Sequence, residues 1–110
     1  MIVYIAGKMT GLPDLGRAAF MAAEEHIANL GHIVLNPARL PEGMPKERYM
    51  PICLAMLEQA DAIFLLDGWE DSDGANIELA YANYQDKAVW GMEEGVFFMP
   101  TTGSREKDAY

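Results

Sequence analysis

Ala62-Ile63-Phe64-Leu65-Leu66 is an unbroken apolar run of strand length, and the acidic loop Asp67-Gly68-Trp69-Glu70-Asp71-Ser72-Asp73-Gly74 follows it at once. A strand that is apolar throughout is covered on both faces, which is the pattern of a central strand in a parallel sheet. The loop leads into a helix expected over about 75–85, and Lys87-Ala88-Val89-Trp90 reads as the next strand, with a further one over Val96–Met99. Toward the N-terminus, a helix over roughly 47–60 carries Met50, Leu54, Leu57 and Ala60 on one face. His32-Ile33-Val34-Leu35 is a strand closed by Asn36-Pro37. Ile2–Ala6 is β-branched and aromatic, and between these two strands Ala19, Ala23, Ile27 and Leu30 keep a helical period. That helix is expected to start near Leu15, with Asp14 as N-cap candidate and Gly31 as C-cap. Strands alternating with helices at this spacing define right-handed βαβ units. The expected fold is therefore α/β: one domain over residues 1–100 with a doubly wound parallel sheet of four to five strands, followed by a polar tail over 101–110.

The 110 residues, 51% of them hydrophobic, suffice for one ordinary core and not for two. Eight Lys and Arg against seventeen Asp and Glu leave a net charge of −9, which repels a phosphate backbone and excludes long nucleic acid as a partner. A small anion is not excluded, because backbone N–H groups at a helix start act locally. The single cysteine, Cys53, rules out an internal disulfide, and no Cys/His cluster has zinc spacing, so no metal is expected. A reduced cysteine fits the cytoplasm. The apolar segment Met1–Ala6 is too short, and lacks the basic flank, for a signal peptide or membrane span. Because the tail lacks an apolar stripe, nothing in the sequence covers the sheet beside the last two strands, and a partner subunit is expected there. A concentration-independent monomer mass in light scattering would rule that out.

Ligands of open parallel sheets bind beyond the carboxyl ends of the strands, at the switch in crossover direction. That rule selects the loops 6–14, 36–46 and 67–74. In the first, Gly7-Lys8-Met9-Thr10-Gly11 combines two permissive glycines, a cation and a hydroxyl, which suits a phosphate or a sugar edge but also suits an ordinary βα turn. In the third, Ser72-Asp73-Gly74 opens a helix and Glu78 follows among Ala75, Ile77, Leu79, Ala80 and Ala82. The dipole and free N–H groups of the helix start favour the carboxylate form of Glu78, a form able to act as nucleophile; an acid in an early helical turn is also simply well tolerated there. Asp67, Glu70, Asp71 and Asp73 offer a second carboxyl group, or form a solvated rim. Asp-Ser-Asp-Gly lacks the rest of an EF-hand loop. Tyr4 either presents its hydroxyl to the crevice or packs in the core. Trp69 either stacks on a base or covers the pocket edge, and Tyr81, one turn beyond Glu78, packs.

Tyr4-Ile5-Ala6-Gly7-Lys8-Met9-Thr10-Gly11, Leu35-Asn36-Pro37, and Ala60-Asp61-Ala62-Ile63 running into Gly68-Trp69-Glu70 and Ser72-Asp73-Gly74-Ala75-Asn76-Ile77-Glu78-Leu79 together resemble the nucleoside 2-deoxyribosyltransferase superfamily over roughly residues 2–90. The resemblance is greatest to its short phage- and bacteria-borne members of unknown function. It implies a flavodoxin-like sheet and cleavage of the N-glycosidic bond of a small deoxynucleoside or its 5′-monophosphate. No cofactor is implied; a homodimer or larger homo-oligomer is. Glu78 matches the family's nucleophile, Tyr4 a tyrosine beside it, Ser72 a serine that touches a 5′-phosphate, and Gly7–Gly11 the segment that cradles the substrate. Asn36, Trp69 and Gly74 stand in the same motifs and are expected to line the substrate site. Three departures stand out. Cys53 occupies the position of a family aspartate, so that Asp67 or Asp73 is left to act as acid or base. Lys8 replaces an arginine of the nucleotide hydrolases, and the C-terminal helix is missing. A non-catalytic module that binds or senses a nucleotide is the alternative on the same fold.

Overall fold

Backbone pairing follows the apolar runs. In the computed structural model, which describes residues 1–98, the order is β1 (Ile2–Ala6), α1 (Arg17–Asn29), β2 (Ile33–Leu35), α2 (Lys46–Glu58), β3 (Ala62–Leu65), α3 (Asp73–Tyr84), β4 (Ala88–Glu93) and β5 (Val96–Phe98). The tail expected over 101–110, and the last residue of the fifth expected strand, Met99, lie outside the described residues. The sheet runs β2-β1-β3-β4-β5, the flavodoxin-like strand order, and places the apolar run β3 at its centre. The first four strands are parallel. β5 is not: it returns antiparallel on β4, pairing Gly91 with Phe98 and Glu93 with Val96. The reason is its connection, because the two-residue turn Glu94-Gly95, both at positive φ, permits only a hairpin.

Side-chain alternation splits the core into two layers. Val3, Ile5, Ala62, Phe64, Leu66 and Trp90 pack with Phe20, Ala23 and Ile27 of α1. Tyr4, Ala6, Ile63 and Leu65 point the other way, onto Cys53 and Leu57 of α2 and Ala75 and Ala82 of α3. The crossover through α1 thus lies on one face and those through α2 and α3 on the other. The switch in crossover direction falls between β1 and β3, whose carboxyl ends open into one cleft.

Two local expectations are corrected. The first helix begins at Arg17, not Leu15, because Asp14, Leu15 and Gly16 are all left-handed (φ 57°, 53° and 70°). Asp14 therefore caps nothing, and Gly16 is the N-cap. The α1 face of β4 and β5 is covered from within the chain: the Phe97 ring stacks on His26 with centroids 3.8 Å apart, and Trp90 meets His32 edge-on. On the opposite face Val96 and Phe98 stay exposed.

Candidate functional site

Tyr4 is the third residue of β1 and points to the α2/α3 layer, whereas Glu78 stands in the second turn of α3. Helix α3 starts where it does because Ser72 accepts a hydrogen bond from the N–H of Ala75 at 3.0 Å, a side-chain N-cap. From Ala75, Glu78 and Ala82, at i, i+3 and i+7, this helix turns one stripe toward the sheet. The stripe is small and apolar except for Glu78, which is consequently 6% exposed in the core layer. There the Tyr4 hydroxyl donates to Glu78 Oε2 at 2.9 Å.

The expectation that a helix start keeps Glu78 ionised does not hold, because the carboxyl lies beyond the first turn, where dipole and free N–H groups have faded. Burial dominates and pushes it up to about 7, while the Tyr4 hydrogen bond pulls in the opposite direction. Burial, and next the Glu78 charge, hold the Tyr4 phenol well above its usual range, so Tyr4 remains a donor at any physiological pH. Cys53, 7% exposed on α2, touches the same pair. Its thiol is raised mainly by burial and further by Glu78, against the lowering hydrogen bond to Tyr4. It is a neutral neighbour rather than a second carboxylate. Glu78 Oε1 has no protein hydrogen-bond partner among the described residues, and no buried polar side-chain atom there is left unpaired, so this oxygen opens onto the cleft. The arrangement is a carboxyl group oriented through one oxygen and presented through the other, its titration moved by burial up to about 7.

The cleft measures about 950 Å³, the size class of small-molecule sites. Of the residues expected at the site, it is lined by Tyr4, Gly7, Lys8, Met9, Thr10, Ser72, Asp73, Gly74 and Glu78. Gly7 is required by a close approach: a Cβ there would lie 3.0 Å from the Leu66 side chain.

Four expected residues do not line the cleft, each for a local reason. Asp67 accepts from the N–H groups of Glu94 at 2.8 Å and Gly95 at 3.0 Å, which spends its carboxylate on the β4–β5 turn. Asn36 accepts from Ala38 N–H and donates to Glu24 Oε1, both at 2.9 Å, so it caps the 3₁₀ turn Pro37–Arg39. Trp69 packs on the α2/α3 layer. Gly11 forms the positive-φ tip of its turn. Conversely, Arg17, Glu42, Lys46, Tyr49 and Met50 line the cleft and were not singled out from sequence. The available signal was the scarcity of cations in so acidic a chain: Lys8, Arg17 and Lys46 all follow parallel strands or open helices at the carboxyl edge of the sheet.

Among the described residues no group of three His, Cys, Asp or Glu side chains could hold a metal, and no helix is long and apolar enough to cross a membrane.

The fold and the cleft define a flavodoxin-like α/β protein with a cleft of small-molecule size at the carboxyl ends of its parallel strands. Residues 1–90 match the family described as "Domain of unknown function (DUF4406)", and the chain belongs to that family. No curated protein matches it in sequence. Among solved structures it is similar to a "2-desoxiribosyltransferase from Leishmania mexicana", with 18% identity, a TM-score of 0.68, and coverage of 92% of this chain and 79% of that one. At that identity the likeness is one of fold. That fold is the one the motif resemblance implies.

Proposed function

We propose that the cleft cleaves the N-glycosidic bond of a deoxynucleoside or its 5′-monophosphate, with Glu78 as nucleophile and water as the favoured acceptor. The observation that carries this reading is the Tyr4–Glu78 pair: a donor fixed on Oε2 and a second carboxylate oxygen open to the cleft. In the first step Oε1 of ionised Glu78 bonds to the anomeric carbon while the bond from that carbon to the base nitrogen breaks. The electron pair leaves with the base, which takes up a proton from an acid. Asp73 is the candidate for that acid, since it lines the cleft and Asp67 does not. In the second step water attacks the same carbon and passes its proton to that group, and the carboxylate departs. Both steps invert, so configuration is retained.

The reading also carries a cytoplasmic setting and a homo-oligomer. In support of the latter, Ile52 of α2 and Ile77 of α3 are exposed apolar residues, and Ile77 reaches the rim of the cleft. A monomer mass independent of concentration would remove that part of it.

The test is to incubate the protein with a panel of deoxynucleosides and their 5′-monophosphates and to follow released base by chromatography. Release that disappears in Glu78→Gln is expected; intact substrates throughout at high protein concentration would refute catalysis. The neutral Cys53 thiol beside Glu78 favours a second reading, a nucleotide-binding module without turnover. Thermal stabilisation by a nucleotide with no base release, unchanged in Glu78→Gln, is its signature.

A further inference from the structure

The cleft contains an ion pair that the glycosidic chemistry leaves unused. Arg17 opens α1, and its guanidinium is held at two points: Nε donates to the carbonyl of Ala38 at 3.2 Å, and a terminal nitrogen bonds the Glu42 carboxylate. These two partners differ in kind. Ala38 is 3% exposed and its carbonyl belongs to the fixed 3₁₀ turn. The Glu42 side chain is 61% exposed and has no other hydrogen-bond partner among the described residues. An ion pair of that exposure is weak, because water and salt compete for both charges.

Arg17 is also placed by the backbone. A Cβ on Gly16 would lie 2.9 Å from the Lys8 carbonyl, so the chain entering α1 packs directly on the Gly7–Gly11 loop and brings the Lys8 and Arg17 segments together. Tyr49 holds the loop that bears Glu42 by bonding the Pro41 carbonyl and the Met44 N–H, so Glu42 can swing away while its backbone stays in place. On a chain of net charge −9, attraction for an anion has to come from such a local arrangement.

We propose that Arg17 is the anion-recognition residue of this cleft and Glu42 its internal competitor: the carboxylate occupies the guanidinium until the phosphate monoester of a nucleoside 5′-monophosphate displaces it. This rests on the reading of the cleft as a nucleotide site. A guanidinium fork matches a phosphate bidentately, and a dianion outbids a single exposed carboxylate held by one contact. Ser72 is less available for that role, because its oxygen already accepts from Ala75 N–H. The lining acids Asp71, Asp73 and Glu78 come from the 3₁₀ turn before α3 and from α3 itself, whereas the lining cations Lys8, Arg17 and Lys46 come from the loop after β1 and the first residues of α1 and α2. A nucleotide spans the two, with its sugar at Glu78 and its phosphate at Arg17.

The experiment is titration calorimetry of the parent protein, Glu42→Gln, Arg17→Gln and Arg17→Lys with thymidine, thymidine 5′-monophosphate and inorganic phosphate, after urea midpoints establish that each variant is folded. Glu42→Gln is expected to tighten the monophosphate by about two- to fivefold, the worth of one exposed ion pair. Arg17→Gln is expected to weaken it by about tenfold or more while changing thymidine little, and Arg17→Lys to fall between. An unchanged ratio of monophosphate to nucleoside affinity in Arg17→Gln, or a weaker monophosphate complex in Glu42→Gln, overturns the proposal. If neither thymidine nor its monophosphate binds the parent, the nucleotide reading fails by itself, and inorganic phosphate decides for Arg17. Phosphate binding that is lost in Arg17→Gln and tightened in Glu42→Gln supports the anion site; no phosphate binding by the parent overturns it.

Discussion

Replacing Glu78 by glutamine should stabilise this protein, and by an amount that depends on pH. The carboxyl is pushed from an ordinary 4.5 to about 7 by burial, so between those values the folded chain holds a proton that the unfolded chain has released. Stability conferred at this position is therefore present below pH 4.5 and declines as pH rises toward 7. At about 1.36 kcal/mol per unit, the raised pKa lowers stability by roughly 3 kcal/mol at pH 8, where the ionised form is held in the core, and by about 1 kcal/mol at pH 5, where folding must take up a proton. Glutamine has nearly the same shape, is never charged, and can still accept from Tyr4. The variant should thus exceed the parent by roughly 3 kcal/mol at pH 8 and by about 1 kcal/mol at pH 5. For a domain of this size the difference between the two conditions corresponds to a Tm change of order 10 °C. Urea unfolding of both proteins at the two pH values measures it, and the titrating groups that do not interact with Glu78 cancel in the comparison. Equal differences at pH 5 and pH 8 would refute the assignment of a buried carboxyl with a raised pKa. A variant that gains stability while losing base release would show a site in which folding free energy is given up to hold a reactive group.

Tyr4→Phe deletes the one hydrogen bond that favours the ionised form of Glu78. The acid limb of any pH–rate profile, which reports ionisation of the nucleophile and should fall near pH 7, is expected to move upward, whereas an unmoved limb with reduced kcat would assign Tyr4 to another step. Asp67→Ala removes the acceptor of two backbone N–H groups at the β4–β5 turn and should cost about 1–2 kcal/mol in urea unfolding while leaving nucleotide affinity unaltered. Loss of affinity in a folded Asp67→Ala protein would return this residue to the cleft.

Much of the fold is legible in the chain because it rests on periodicity. The apolar run at Ala62–Leu66 is central in the sheet, the alternation of strands and helices yields parallel pairing for the first four strands, and the cleft opens at the loops that the topology selects. The antiparallel fifth strand was less legible, since it depends on the two-residue turn Glu94-Gly95 rather than on the composition of the strand. The start of α1 was displaced by three consecutive left-handed residues, which no hydrophobic pattern records.

Local sequence determined which side chains could serve: a lone acid among small apolar residues at Glu78, a tyrosine within the first strand, a glycine-bearing loop over Gly7–Gly11, and a thiol at Cys53. Tertiary structure decided what each became. Tyr4 and Glu78 are 74 positions apart and meet only because β1 lies beside β3 and α3 returns across it; Asp67, adjacent in sequence to the central strand, is drawn instead to a turn 27 residues away. The protonation balance of Glu78 likewise belongs to the fold. A helix position seen in isolation leaves a glutamate in water, where it ionises readily, while packing of α3 on the sheet takes that water away and raises the carboxyl to about 7.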